Sequence, residues 1–97
     1  MNIHFTDEAL QWFQKEMDLQ KGDSIRFYVR YGGSSPIQEG FSLGLNKEAP
    51  METGAEKEQE GILFFVEERD LWYFDGYDLH VGYDEKRDEP VYDYHKK

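Results

Sequence analysis

Between positions 25 and 45 the apolar residues recur at every second place, first at Ile25, Phe27, Val29 and Tyr31, then at Phe41, Leu43 and Leu45. Side chains of a strand repeat with period two, so each run predicts a strand with one apolar face. A polar, glycine-rich loop over residues 32–40 is displayed between them. Gly32 and Gly33 permit positive φ, and Pro36 stiffens the loop beyond them. Such a loop is a candidate contact for a ligand or partner, with Gly32, Gly33, Ser34, Ser35, Gln38 and Gly40 as its candidate residues.

The pattern differs elsewhere. Residues 3–5 alternate briefly, and Thr6 is suited to cap a helix whose first turn carries Asp7 and Glu8 at the positive end of the dipole. Phe5 and Leu10 stand where a hydrophobic staple would, but Ala9 occupies the place a capping box gives to Glu or Gln. Ala9, Leu10, Phe13 and Met17 make one helical stripe, and Lys21-Gly22 reads as a stop, so a helix is predicted from residue 7 to about residue 20. Trp12 lies off the stripe and is expected at the edge of the core. Residues 46–61 hold five glutamates against Lys47 and Lys57 and read as a solvated connection, without the Asp, Asn and Gly spacing of a calcium loop.

Residues 62–66, Ile-Leu-Phe-Phe-Val, form a continuous apolar run short enough to be a central strand buried on both faces. Residues 67–74 read as a turn or one loose helical turn with Leu71, Trp72 and Phe74 as core candidates, and Asp75-Gly76 as a turn pair. Alternation returns over residues 77–83, with Tyr77, Leu79, Val81 and Tyr83 on one face and Asp78, His80 and Gly82 on the other. A charged turn precedes Pro90, which opens a short last strand over residues 91–94, suited to a sheet edge because proline cannot donate to the ladder. The expected class is α+β, mostly β: a single domain over residues 1–97, with one N-terminal helix packed on two small mixed sheets or a partly closed barrel.

Composition narrows the function classes. The chain has 97 residues, with 11 Lys and Arg against 21 Asp and Glu, a net charge of -10. That charge opposes phosphate backbones and anionic lipid, so neither nucleic acid nor membrane is an expected partner. With no cysteine the chain can form no disulfide, thiolate nucleophile or cysteine-ligated metal site. The first residues lack the pattern of a signal peptide, and no apolar stretch approaches the roughly 18 residues of a membrane span. A cytoplasmic location is expected. Aromatic residues at 16% supply enough burial to argue against disorder despite 33% charged residues.

Several constellations carry candidate chemistry. His4, His80 and His95, with Asp78 or other carboxylates, are residue types that suit zinc or ferrous iron. Their spacing fits no compact ligand pattern, and His95 is expected in a frayed tail. Ser34 or Ser35 with His80 and Asp78 supplies the types needed for hydrolysis, but no nucleophile elbow surrounds the serines, and a serine-rich turn is the preferred reading. Arg26 and Arg30 share a strand face that invites an anion, although in so acidic a chain they are expected among carboxylates. Tyr77, Tyr83, Tyr92 and Tyr94 are expected to pack between sheets, with a homodimer or protein contact as the alternative.

The order of these signals resembles the HesB-like family, the IscA-type or A-type iron-sulfur carriers. Their aliphatic opening and Thr-Asp-x-Ala helix start are similar to residues 3–17, and their strand into a Gly-Gly turn to residues 25–33. Their Gly-Phe-Ser-x-Gly-Leu segment is matched by Gly40-Phe41-Ser42-Leu43-Gly44-Leu45, and their Leu-x-Tyr-Leu-Asp-Gly element resembles Leu71-Trp72-Tyr73-Phe74-Asp75-Gly76. The likeness covers nearly the whole chain and is nearest to a cysteine-free, YneR-like branch of bacterial proteins. Cluster-binding members place one cysteine after the Gly-Gly turn and a Cys-Gly-Cys near the carboxyl end. Here Ser34 stands at the first position, residues 36–39 are inserted after Ser35, and the second motif is not found before Lys97. Cluster iron is held by soft thiolates, and a serine hydroxyl stays protonated near neutral pH.

The resemblance therefore implies the fold and a link to iron-sulfur metabolism, not cluster carriage. The expected function is a non-catalytic module without a cofactor that binds a protein or a small ligand through the 32–40 loop. The alternative is a metal-binding protein with His, Asp or Glu ligands.

Overall fold

Thr6 starts the helix as its position predicts. In the computed structural model, which describes residues 1–96, its Oγ1 accepts the amide of Ala9 at 3.2 Å. Strand β1 (Ile3–Phe5) precedes helix α1 (Asp7–Glu16). The helix ends short of the expected residue 20, because Met17 caps it and Asp18 enters the left-handed region at φ 48°. Aspartate tolerates that conformation, so the helix stops without glycine. Gly22 instead ties the next turn to the sheet, its amide donating to the Gly61 carbonyl at 2.8 Å.

Six further strands come after it among the described residues: β2 (Ser24–Ser34), β3 (Glu39–Lys47), β4 (Thr53–Gln59), β5 (Ile62–Glu67), β6 (Tyr77–Asp84) and β7 (Glu89–Lys96), with a 3₁₀ helix (Glu68–Tyr73) after β5. They form two mixed sheets, ordered β3-β2-β5-β4 and β1-β6-β7, and neither closes into a barrel. Strand β5 pairs parallel with β2 and antiparallel with β4, the central place its unbroken apolar run predicts. Strand β4 corrects the reading of residues 46–61 as connection throughout. Ala55 is its one buried apolar side chain, while Glu56 and Glu58 point to solvent, a charged edge that discourages pairing with other chains. Strand β7 is an edge strand as expected, but its pairing with β6 extends from Glu89 to Lys96 and includes His95.

The core is aromatic. Phe5, Phe13, Phe27 and Phe64 bring together β1, α1, β2 and β5, with ring centroids 4.5 Å apart for Phe5–Phe64 and 5.2 Å for Phe13–Phe64. Leu79 and Val81 close it from β6, and Trp12 packs at its edge with Nε1 donating to the Asp88 carbonyl at 2.9 Å. Leu71 and Phe74 pack on the core as expected, but Trp72 does not join them and is 51% exposed. Tyr31 lies on the predicted strand face, yet beyond the end of the core it is 89% exposed.

Two polar anchors hold the 3₁₀ helix and the segment before β4. Arg26 donates to Asp70 at 3.0 Å and Glu48 at 3.2 Å, as its acidic surroundings predict, whereas Arg30 on the same face is exposed and in no ion pair among the described residues. The buried Glu67 carboxylate accepts the amides of Met51 and Glu52 at 3.1 and 3.0 Å. The Glu52 amide foremost holds the Glu67 carboxyl below its ordinary pKa. Gly54 lets the 3₁₀ helix approach β4, since a Cβ there would lie 2.6 Å from Leu71 Cγ and 2.9 Å from Glu68 Cα.

Phe64→Ala should lower unfolding stability by about 3–5 kcal/mol in urea titration, because three elements lose their shared ring. Arg26→Met should cost about 1–3 kcal/mol by leaving carboxylates without their donor, and adding Asp70→Leu should restore part of that loss.

Candidate interaction surface at the β2–β3 hairpin

The expected loop over residues 32–40 contracts to a hairpin. Strand β2 continues to Ser34, which pairs with Glu39, and the ladder is irregular between Tyr31 and Ser34, where Gly32 and Gly33 take φ of 125° and 67°. Two glycines with positive φ thus supply the kink the chain needs before its tip. The turn proper is residues 35–38. Its geometry is held by the Ser35 hydroxyl, which accepts the Gln38 amide at 3.0 Å. Gly40 comes next at φ 86° and returns the chain to β3.

The six candidate residues are therefore together, with different tasks. Ser34 is exposed at the tip, Ser35 is engaged within the turn, and Gln38 reaches across to the 3₁₀ helix, its side-chain amide donating to the Tyr73 carbonyl at 3.3 Å. Ser42 braces the kink from β3 by donating to the Gly32 carbonyl at 3.0 Å. Behind the serines lies an open cavity of about 150 Å³, whose far wall is Tyr92 and Tyr94 from β7. The Tyr94 and Tyr73 hydroxyls share a hydrogen bond of 2.7 Å, and burial pushes both the Tyr92 and Tyr94 hydroxyls well above their ordinary pKa. The tyrosines of β7 thus pack between the sheets.

Beside this tip the core runs out onto the surface. Tyr73 is fully buried and contacts Trp72 at 6.3 Å between centroids; Trp72 meets Phe41 edge-on at 5.2 Å, and Phe41 meets Tyr31 edge-on at 5.7 Å. The string passes from a residue with no exposure to one that is almost wholly exposed. Tyr31 and Phe41 are cross-strand partners in the register, so the hairpin itself sets their spacing. The hydrophobic pattern alone places Tyr31 and Trp72 in the core. The one signal to the contrary is that Tyr31 ends its alternating run beside Gly32.

The other candidate sets are arranged differently. Ser34 and Ser35 belong to one sheet and Asp78 and His80 to the other; the Ser35 hydroxyl is bonded to Gln38, and His80 packs between His4 and His95. The three histidines do come together, contrary to the expectation from spacing and from a frayed tail. They stack in a row, and among the described residues no three His, Asp or Glu side chains are placed to hold a metal ion. An iron-sulfur cluster does not fit the hairpin either, because the chain offers it no thiolate and the tip presents hydroxyls.

The fold is shared with SufA of Escherichia coli, a protein involved in biosynthesis of iron-sulfur clusters, at a TM-score of 0.59 and 16% identity over 98% of this chain and 80% of that one. In sequence the chain is 55% identical over 94 residues to the pyruvate dehydrogenase inhibitor of Bacillus subtilis, covering 97% of this chain and 99% of the relative. It is 35% identical over 95 residues to an uncharacterized protein of Staphylococcus saprophyticus, covering 95% and 97% of the two chains. The family described as Iron-sulphur cluster biosynthesis matches residues 1–89. A HesB-like fold, a hairpin without thiols and a match along nearly the whole sequence lead to one conclusion: this chain belongs to the Iron-sulphur cluster biosynthesis family, in a branch that lacks cysteine.

Proposed function

We propose that this protein is a non-catalytic binding module that docks on a pyruvate dehydrogenase and inhibits it, using the β2–β3 hairpin and the aromatic string beside it. The observation that carries the docking surface is the exposure of Tyr31 and Trp72 at the end of a continuous line of ring contacts. Aromatic side chains held rigidly by a core are well suited to bind a partner, because they bury large areas and lose little side-chain freedom. The target class is supported by 55% identity, over almost all of both chains, to a protein named for that inhibition.

A protein partner fits better than a small ligand. The cavity behind Ser34 and Ser35 measures about 150 Å³, below the roughly 300–1,000 Å³ typical of small-molecule sites. Inhibition by docking needs neither a nucleophile nor a metal. The net charge of -10 favours a partner surface of basic character and makes the encounter sensitive to salt.

Titration of purified Bacillus subtilis pyruvate dehydrogenase with this protein should lower its activity at near-stoichiometric ratios. Tyr31→Ala combined with Trp72→Ala should weaken the effect about tenfold or more, with an unchanged circular dichroism spectrum. Full activity in the presence of a large excess of the native chain would refute the proposal.

A further inference from the structure

All three histidines of the chain lie side by side across one sheet. His4 on β1 is in register with His80 on β6, and their rings stack at 4.5 Å with an interplanar angle of 28°. His95 on β7 is opposite Asp78, while His80 is opposite Asp93, and the His95 ring lies 3.9 Å from that of His80. Residues 4, 80 and 95 have no local relation in sequence. The pairing of β1, β6 and β7 alone makes them neighbours.

We propose that this row is a proton-operated latch on β7: neutral imidazoles hold the β6–β7 seam closed, and protonation of adjacent rings loosens it. The groups that face His80 are His4 from β1, Asp78 on its own strand, and Asp93 and His95 from β7. The two carboxylates attract a proton on His80, but less strongly than burial and the neighbouring imidazoles oppose it. A second on an adjacent ring places like charges about 4 Å apart, which repel even at a partly solvated surface. Burial, then His95 and His4, push the His80 pKa below its ordinary value, and Asp78 and Asp93 oppose this less strongly.

This sets the direction with pH. Because His80 is harder to protonate in the folded chain than in the unfolded one, its contribution to stability is complete above the unfolded value of 6.5. It is lost as pH falls from there through the folded value.

Strand β7 is the element placed to respond. Among the described residues it is an edge strand paired with β6 alone, and it carries Tyr92 and Tyr94, the wall of the cavity behind Ser34 and Ser35; Tyr94 is also the partner of Tyr73. Loosening the seam releases that wall. The consequence for docking rests on the function proposed above, whereas the latch itself does not.

Amide hydrogen exchange on the intact protein at pH 7.5 and 5.5, corrected for intrinsic exchange, tests the latch. The opening constant of β7 amides should rise about three- to tenfold at the lower pH, and β2 and β5 amides should rise by no more than that through global unfolding, a factor of ten corresponding to one pKa unit. His80→Asn should remove most of this dependence. The pair His4→Asn with His95→Asn should do the same if the first variant fails to fold. Added salt should reduce the response in the native chain, since screening weakens repulsion between exposed rings. No change in β7, a larger change in β2 than in β7, or three imidazoles that titrate independently by NMR would overturn the proposal. Those outcomes would leave inhibition of pyruvate dehydrogenase untouched, so the two readings fail separately.

Discussion

The meeting of Phe13 and Phe64 between the helix and the larger sheet, with Phe5 and Phe27 against them, is the contact on which the architecture rests. No element here is stable alone. A helix of ten residues is too short to persist in water, and a three-stranded sheet with one polar face needs something to cover the other. The four rings give both sheets and the helix a common buried surface. Each then forms only because the others do.

That dependence explains the placing of the proposed docking surface. The core takes in Tyr73 and Phe74, and the 3₁₀ helix turns Trp72 outward while burying its neighbour. Its position is fixed by two contacts with few alternatives, the Arg26–Asp70 ion pair on one side and the close packing against Gly54 on the other. The hairpin arrives at the same place through Gln38 and the carbonyl of Tyr73. An exposed aromatic surface built on such supports is preorganised and loses little freedom when it binds.

The relation to iron-sulfur proteins lies in this scaffold. This chain presents serine hydroxyls at the tip of β2, and without a thiolate there soft metal chemistry is not available at that place. With serines at the tip, what the fold still offers is shape: a kinked hairpin, a small cavity walled by tyrosines, and aromatic rings facing solvent. The proposed docking uses those features directly.

Much of this was legible in the chain itself. The period-two runs at residues 25–31 and 41–45, the apolar run at 62–66, the Thr6 cap, the acidic charge and the missing thiols are local or compositional properties, and each leads to one physical consequence. Strand β4 was not legible, because Ala55 is its one buried apolar side chain and its pairing with β5 carries the remainder. The outward turn of Trp72 was hidden too, since an apolar residue in a short helical turn shows no preference of its own between core and solvent. The histidine row could not be found by spacing. Sequence sets which side chains can share a face; which strands become neighbours, and in what register, is decided by burial between segments far apart in the chain, and that decision belongs to the tertiary structure.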